Sequence, residues 1–222
     1  MPSRPVVLVT GAARRIGRAI ALDLAAHGCD IALHCHAASA ESAATLDELR
    51  GLGARAEVFA ADLADEAATR ALLPAVAQAF GRVDALVNNA SRFAYDDAAS
   101  FGHAEMQAHW RINTAAPILL AQALHAHLVA RDAQGCVVNL LDQKLANPNP
   151  DYLSYTLSKA ALQSATVMLA QALAPRLRVC GVAPGVTMIS GDMSEADFAA
   201  AHRLTPLRRS STPADIAQAV RY

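Results

Sequence analysis

Six short apolar runs alternate with six helical stretches along this 222-residue chain. The strand-like runs are Val6–Thr10, Asp30–Cys35, Arg55–Ala61, Ala85–Asn88, Cys136–Leu141 and Arg178–Val182. The helical ones are Ile16–Ala26, Ala40–Gly51, Glu66–Phe80, Ala104–Ala130, Leu153–Ala174 and Pro213–Arg221. In the first run, Val6-Val7-Leu8-Val9, every position is apolar, so such a strand must be covered on both faces. Strands joined through helices pair in parallel, because the crossover helix packs back onto the sheet. The pattern predicts an α/β fold with a doubly wound parallel sheet, residues 1–222 forming a single domain. No repeat, low-complexity tract or linker interrupts it.

Composition excludes several function classes. With 54% hydrophobic and 18% charged residues, the chain can bury one sizeable core. A net charge of −1 leaves no basic footprint for nucleic acid. No uninterrupted apolar run approaches the ~20 residues of a membrane span. The first strand starts within a few residues of Met1, which leaves no room for a signal peptide and predicts a cytoplasmic protein. Cys29, Cys35, Cys136 and Cys180 are scattered and read as reduced, mostly buried thiols. Without Cys-x-x-Cys spacing, no metal site is expected. His34 and His36 share a strand face but lack a third ligand.

The turn Gly11-Ala12-Ala13-Arg14-Arg15-Ile16-Gly17 separates the first strand from the first helix. A strand, a glycine-bearing turn and a helix form a cradle for a pyrophosphate, held by backbone N–H groups and the helix N-terminus. This makes the fold Rossmann-type. Arg15 stands where the three-glycine fingerprint has a glycine. Two arginines at a helix start oppose its dipole, an arrangement that an anionic ligand would relieve; a solvated basic turn is the alternative.

Near the centre lie Asp142, Tyr155 and Lys159. The four-residue spacing in Tyr155-Thr156-Leu157-Ser158-Lys159 puts both functional side chains on one helix face. An ammonium beside a phenol favours phenolate, so Lys159 is expected to lower the Tyr155 pKa from about 10 toward the range of a working acid. Asp142 follows the run Gly135-Cys136-Val137-Val138-Asn139-Leu140-Leu141. A strand would deliver its carboxyl group to the Tyr155 face; it could equally cap the following loop.

Together these residues resemble the short-chain dehydrogenase/reductase family, nearly end to end. Thr10-Gly11 with Gly17 resembles its cofactor turn, Asp62-Leu63 its adenine contact and Asn88-Asn89-Ala90 the end of its fourth strand. Asn113 resembles its relay asparagine, whose family role is to kink a long helix and hold a water linking Lys159 to solvent. Tyr155 and Lys159 resemble its catalytic pair, and Pro184-Gly185 its turn after the sixth strand. Four departures are similar to the pteridine reductase branch: Arg15, the His34-Cys35-His36 strand end, Ser91 followed by Phe93, and Asp142 where most relatives carry a catalytic serine. The resemblance implies that Ile16, His34, Ser91 and Thr187 also line the cofactor. It implies that Lys159 binds the nicotinamide ribose and that Arg15, Ser91, Phe93, Asp142 and Tyr155 meet the substrate.

No acidic residue occupies His34 to Ala38, where an aspartate would bind ribose hydroxyls and repel a 2′-phosphate. With Arg14, His36 and Ser39 nearby, the cofactor is expected to be NADPH. Phe93 could stack a flat heteroaromatic substrate against the nicotinamide. Tyr95 and Trp110 read as packing residues. The expected reaction is reduction of a pterin or dihydropterin, dihydrofolate included. A carbonyl reductase of the same fold and a catalytically silent NADP-binding regulator are the alternatives. The segment from Met188 to Leu204, with Gly191 and Asp192, reads as a substrate lid running from a loop into a short helix. Relatives continue into a seventh strand, which many use in a tetramer interface. The sequence stops at Tyr222, inside the last helix, so either it is incomplete or that strand is missing; the resemblance implies a homo-oligomer, a homotetramer by likeness to those relatives.

Overall fold

The computed structural model describes residues 4–189, 193–205 and 207–222. Six strands, β1 (Val6–Val9), β2 (Asp30–Cys35), β3 (Ala56–Ala60), β4 (Ala85–Asn88), β5 (Gly135–Leu140) and β6 (Leu177–Val182), form one sheet in the order β3-β2-β1-β4-β5-β6. Every pairing is parallel. The order reverses direction at β1, and ligands bind at such a switch point, beyond the C-terminal strand ends. The helices are α1 (Arg15–Ala26), α2 (Ala40–Gly51), α3 (Glu66–Phe80), α4 (His103–Trp110), α5 (Ala116–Ala130), α6 (Leu153–Ala172), α7 (Glu195–Leu204) and α8 (Pro213–Arg221).

The apolar β1 run behaves as its pattern requires. Val7 and Val9 enter a core with Ile20 and Leu24 of α1, Leu49 of α2 and Ile216 of α8. Val6 and Leu8 point the other way, into a core with Leu72 and Val76 of α3 and Leu120, Leu124 and Leu128 of α5. All four β1 side chains are buried. Helix α8 closes over α1, and Arg221 Nε donates to Asp23 Oδ2 at 2.8 Å.

The expected helix 104–130 is continuous but contains a π-helical turn at Arg111–Ala115, between α4 and α5. Such a turn widens the backbone ladder and commonly marks a functional site. From His103 to Ala130 the helix is long and apolar enough to cross a membrane by length and composition. Its buried face nevertheless belongs to the second core.

Candidate functional site

Gly11, at φ +63°, turns the chain out of β1. Asn89 Nδ2 donates to the carbonyls of Thr10 (2.9 Å) and Gly11 (3.2 Å). Thr10 Oγ1 accepts the N–H groups of Asn89 and Ala90. The turn is thus bolted to the end of β4. A Cβ on Gly17 would lie 2.2 Å from Gly11 O and 2.4 Å from Asn89 Nδ2, so only glycine fits. Helix α1 begins without a side-chain cap or an acidic residue in its first turn. Its leading N–H groups are left for an anion.

Arg15 occupies φ +55°, a left-handed conformation that costs a non-glycine residue roughly 1 kcal/mol. Its guanidinium reaches across the cleft and donates to Ile189 O at 2.7 Å. Arg14 is exposed and Ile16 half-buried beside it.

His34, expected at the cofactor, turns inward and is 2% exposed. Its Nδ1 accepts Gly11 N–H at 3.2 Å, and its Nε2 lies 3.0 Å from Ala61 O. That pattern fixes a neutral ring with the proton on Nε2, and burial pushes its pKa down. His34 therefore shapes the glycine turn. His36 stays exposed, its Nδ1 3.6 Å from Asp62 Oδ1. Leu63 is buried in the second core. Ser39 caps α2, its hydroxyl accepting Ser42 N–H.

The Asp142 carboxylate does both things that its sequence position allowed. Oδ1 accepts Lys144 N–H at 2.8 Å and caps the 3-10 turn Gln143–Ala146. Oδ2 accepts the Tyr155 hydroxyl at 2.6 Å. Lys159 Nζ, 3% exposed, donates to Leu140 O at 2.7 Å and lies 5.8 Å from the Tyr155 ring centre. These positions overturn the expected pKa effect. Burial, and then the Asp142 charge, push the Tyr155 phenol well above its ordinary value. Burial pulls the Lys159 ammonium down to about 8, partly opposed by Asp142.

An aromatic wall stands over the pair. Phe93 stacks on Tyr152 at 4.2 Å and meets Tyr155 edge-on at 4.8 Å. Tyr95, read from sequence as packing, is 58% exposed and packs edge-on against Tyr152. Trp110 is 44% exposed. Four of the chain's ten aromatic residues gather here, which favours a flat ligand.

Asn113 sits in the π-turn and is fully buried. Its Oδ1 accepts Arg92 N–H (2.8 Å) and the Ser91 hydroxyl (3.1 Å). Its Nδ2 donates to Arg92 O and to Ser158 Oγ. Asn113 thus joins the loop after β4 to α6. His109 Nε2 accepts Ala94 N–H at 3.3 Å, and Arg92 pairs with Glu105 at 2.7 Å.

Opposite this wall, Pro184 O accepts Gln143 N–H at 3.0 Å. Thr187 Oγ1 lies 2.9 Å from both Gly185 O and Ser211 Oγ. Helix α7 begins in a capping box at Ser194 and buries no side chain. Gly191 and Asp192 of the expected lid lie outside the described residues.

Asp96, His109, Tyr152 and Ser158 were not singled out from sequence. Tyr152 and Ser158 lie beside or within the recognised Tyr155–Lys159 motif, and that position was the available signal. Asp96 and His109 carry none, since each acts on a distant segment. Among the described residues no cluster of His, Cys, Asp and Glu could hold a metal.

The profile of the short chain dehydrogenase family matches residues 5–200. The fold superimposes on FolM alternative dihydrofolate reductase 1 from Brucella canis, a crystal structure complexed with NADP. The TM-score is 0.94 and the identity 40%, over 100% of this chain and 88% of that one. Pteridine reductase 1 of Leishmania tarentolae is 32% identical over 99% of this chain and 89% of its own length. A 3-oxoacyl-[acyl-carrier-protein] reductase of Staphylococcus aureus is 31% identical over 97% and 88% respectively.

Proposed function

We propose that this chain, which belongs to the short chain dehydrogenase family, reduces a pterin or dihydropterin, with dihydrofolate among its candidate substrates. It is an oxidoreductase that uses NADPH. The cleft fits that cofactor: α1 presents uncapped N–H groups at a tight turn in which position 17 has no room for a Cβ, and Arg14 and Arg15 lie exposed beside them. When bound, NADPH supplies the hydride. The Brucella relative bound to NADP supports this choice.

The observation that carries the substrate class is the 2.6 Å bond from Tyr155 to Asp142 beneath the Phe93 and Tyr152 rings. A carboxylate there would repel the alkoxide that develops when a ketone is reduced, whereas the 3-oxoacyl reaction needs a donor at that point. Protonating a ring nitrogen needs no oxyanion donor. Burial and Asp142 both disfavour phenolate, so Tyr155 holds its proton until the substrate nitrogen gains negative charge. Tyr155 would then give its proton to that nitrogen, with Asp142 orienting the hydroxyl, and solvent would restore the phenol. Lys159, held on Leu140 O, would meet the cofactor ribose, while Phe93 and Tyr152 exclude water and orient the flat ring.

A homo-oligomer is part of this reading. Leu157 and Met168, three helical turns apart on α6, are exposed apolar residues of one face. The four free thiols support a reducing, cytoplasmic setting.

NADPH oxidation with a dihydropterin, dihydrofolate and an acetoacetyl thioester tests the assignment. The pterin or folate should be preferred by the wild type. Asp142→Ser should lose pterin turnover and gain on the thioester. A wild-type preference for the thioester would favour the carbonyl reductase reading, and no turnover of any of them a silent NADP-binding regulator.

A further inference from the structure

Helix α6 carries both Tyr155 and Lys159, yet its own sequence does not cap it. Tyr152 stands at the N-cap with φ +55°, makes no side-chain cap bond, and no acidic residue follows in the first turn. The missing cap comes from Asp96, 58 residues earlier. Asp96 O accepts Leu153 N–H at 3.1 Å and its Oδ1 accepts Ser154 N–H at 2.9 Å. Its Oδ2 accepts the Ser154 hydroxyl. Asp96 is 2% exposed, and among the described residues no Lys, Arg or His lies within ion-pair distance of it. A buried carboxylate without a cation is tolerable here because the α6 N-terminus supplies the compensating partial charge.

We infer that Asp96 is a positioning residue that sets the aromatic wall and the reactive hydroxyl as one unit. Two further observations connect the cap to the chemistry. Asp96 ends the segment bearing Phe93 and Tyr95, and both rings pack on Tyr152, the left-handed residue directly before the two N–H groups that Asp96 caps. Tyr155 directly follows Ser154, so a shift of the first turn moves its hydroxyl away from Asp142 Oδ2. Misplacement of a reacting group by about 1 Å is worth roughly 10²-fold in rate. A cap that served stability alone would have no reason to hold the substrate wall as well.

The inference rests on the reductase reading for its kinetic part, so the experiment has an independent arm. Asp96→Ala should lower kcat about 10- to 100-fold at a temperature where it stays folded, with NADPH affinity within twofold of wild type. Hydrogen exchange should rise in residues 153–156 and stay unchanged in residues 163–172. Asp96→Asn, which keeps the Oδ1 acceptor, should restore most of both. Ser154→Ala combined with Asp96→Ala should cost less than the sum of the two. If the wild type proves inactive on every substrate, the proposed function fails and the exchange pattern alone decides the positioning role. Unchanged exchange at residues 153–156, or a lowered Tm with kcat intact, would overturn it.

Discussion

The two walls of the cleft are built differently. On one side, the loop after β4 is held at four places: Asn113 grips Ser91 and Arg92, Glu105 pairs with Arg92, His109 takes Ala94 N–H, and Asp96 clasps α6. On the other side, among the described residues, the segment between β6 and α8 reaches the rest of the fold through Pro184 O and through Arg15 on Ile189 O, Thr187 bonds within the segment to Gly185 and Ser211, and α7 buries no side chain. Proton transfer tolerates little positional error, so its groups belong on the fixed wall. Binding selectivity can be adjusted on the loosely held one without disturbing the reaction.

If that contrast is right, changes on the fixed side should act on turnover and those on the other side on substrate affinity. Tyr155→Phe should show the largest effect, a fall of roughly 10²–10⁴-fold in kcat with NADPH affinity nearly unchanged. Near-normal turnover in that variant would remove Tyr155 from the chemistry. Gly17→Ala comes next. Its methyl would collide with Gly11 O and Asn89 Nδ2, so NADPH affinity measured by fluorescence titration should drop by about 10²-fold. Binding within a few-fold of wild type would mean that the turn relaxes freely.

A pH series probes the fixed side through Lys159. Its pKa is about 8 in the folded chain against an ordinary 10.5, so the folded state releases the proton first. In the proposed mechanism the cation is the active form, and kcat/KM for NADPH should fall as pH rises past about 8, by up to tenfold per unit. Stability should change with the opposite sign. Between about pH 8 and 10.5 the unfolded chain binds more protons, so this group's contribution rises with pH. Lys159→Met should abolish turnover without lowering Tm, and a clear loss of Tm would refute the view that the buried charge is kept for function.

On the loosely held side, Arg15→Gly removes both a left-handed side chain and the contact to Ile189. Substrate KM should rise a few-fold, while stability stays level or gains up to ~1 kcal/mol. Unaltered KM would disconnect Arg15 from the substrate. The smallest effect is expected at Leu204 of α7, which is 87% exposed: Leu204→Ser should change stability by less than about 0.5 kcal/mol and leave kcat alone.

Much of the fold was legible because period and punctuation are local properties. The β1 run, the glycine turn and the Pro213 helix start each announced their element within a few residues. Of the site, Asp142, Tyr155 and Lys159 could be read from spacing, and they do converge. Their electrostatics could not be read that way. Whether Lys159 or Asp142 governs the Tyr155 hydroxyl depends on a few ångströms set by where β5 ends relative to α6. His34 read as a cofactor contact because a strand end is a plausible place for one, and only the packing of β2 against β1 and β3 decided that its ring faces inward.

By itself, then, the sequence determined the order of strands and helices, the cradle at Gly11 and Gly17, and the presence of an acid, a phenol and an amine at one end of the sheet. The tertiary structure decided which of these touch. It aimed the Tyr155 hydroxyl at Asp142, turned Asn113 into a link between loop and helix, and brought Asp96 across 58 residues to cap a helix that has no cap of its own. Helical and strand periodicity is written in neighbouring residues. A hydrogen bond between distant segments depends on the packing of everything between them, and no local pattern records it.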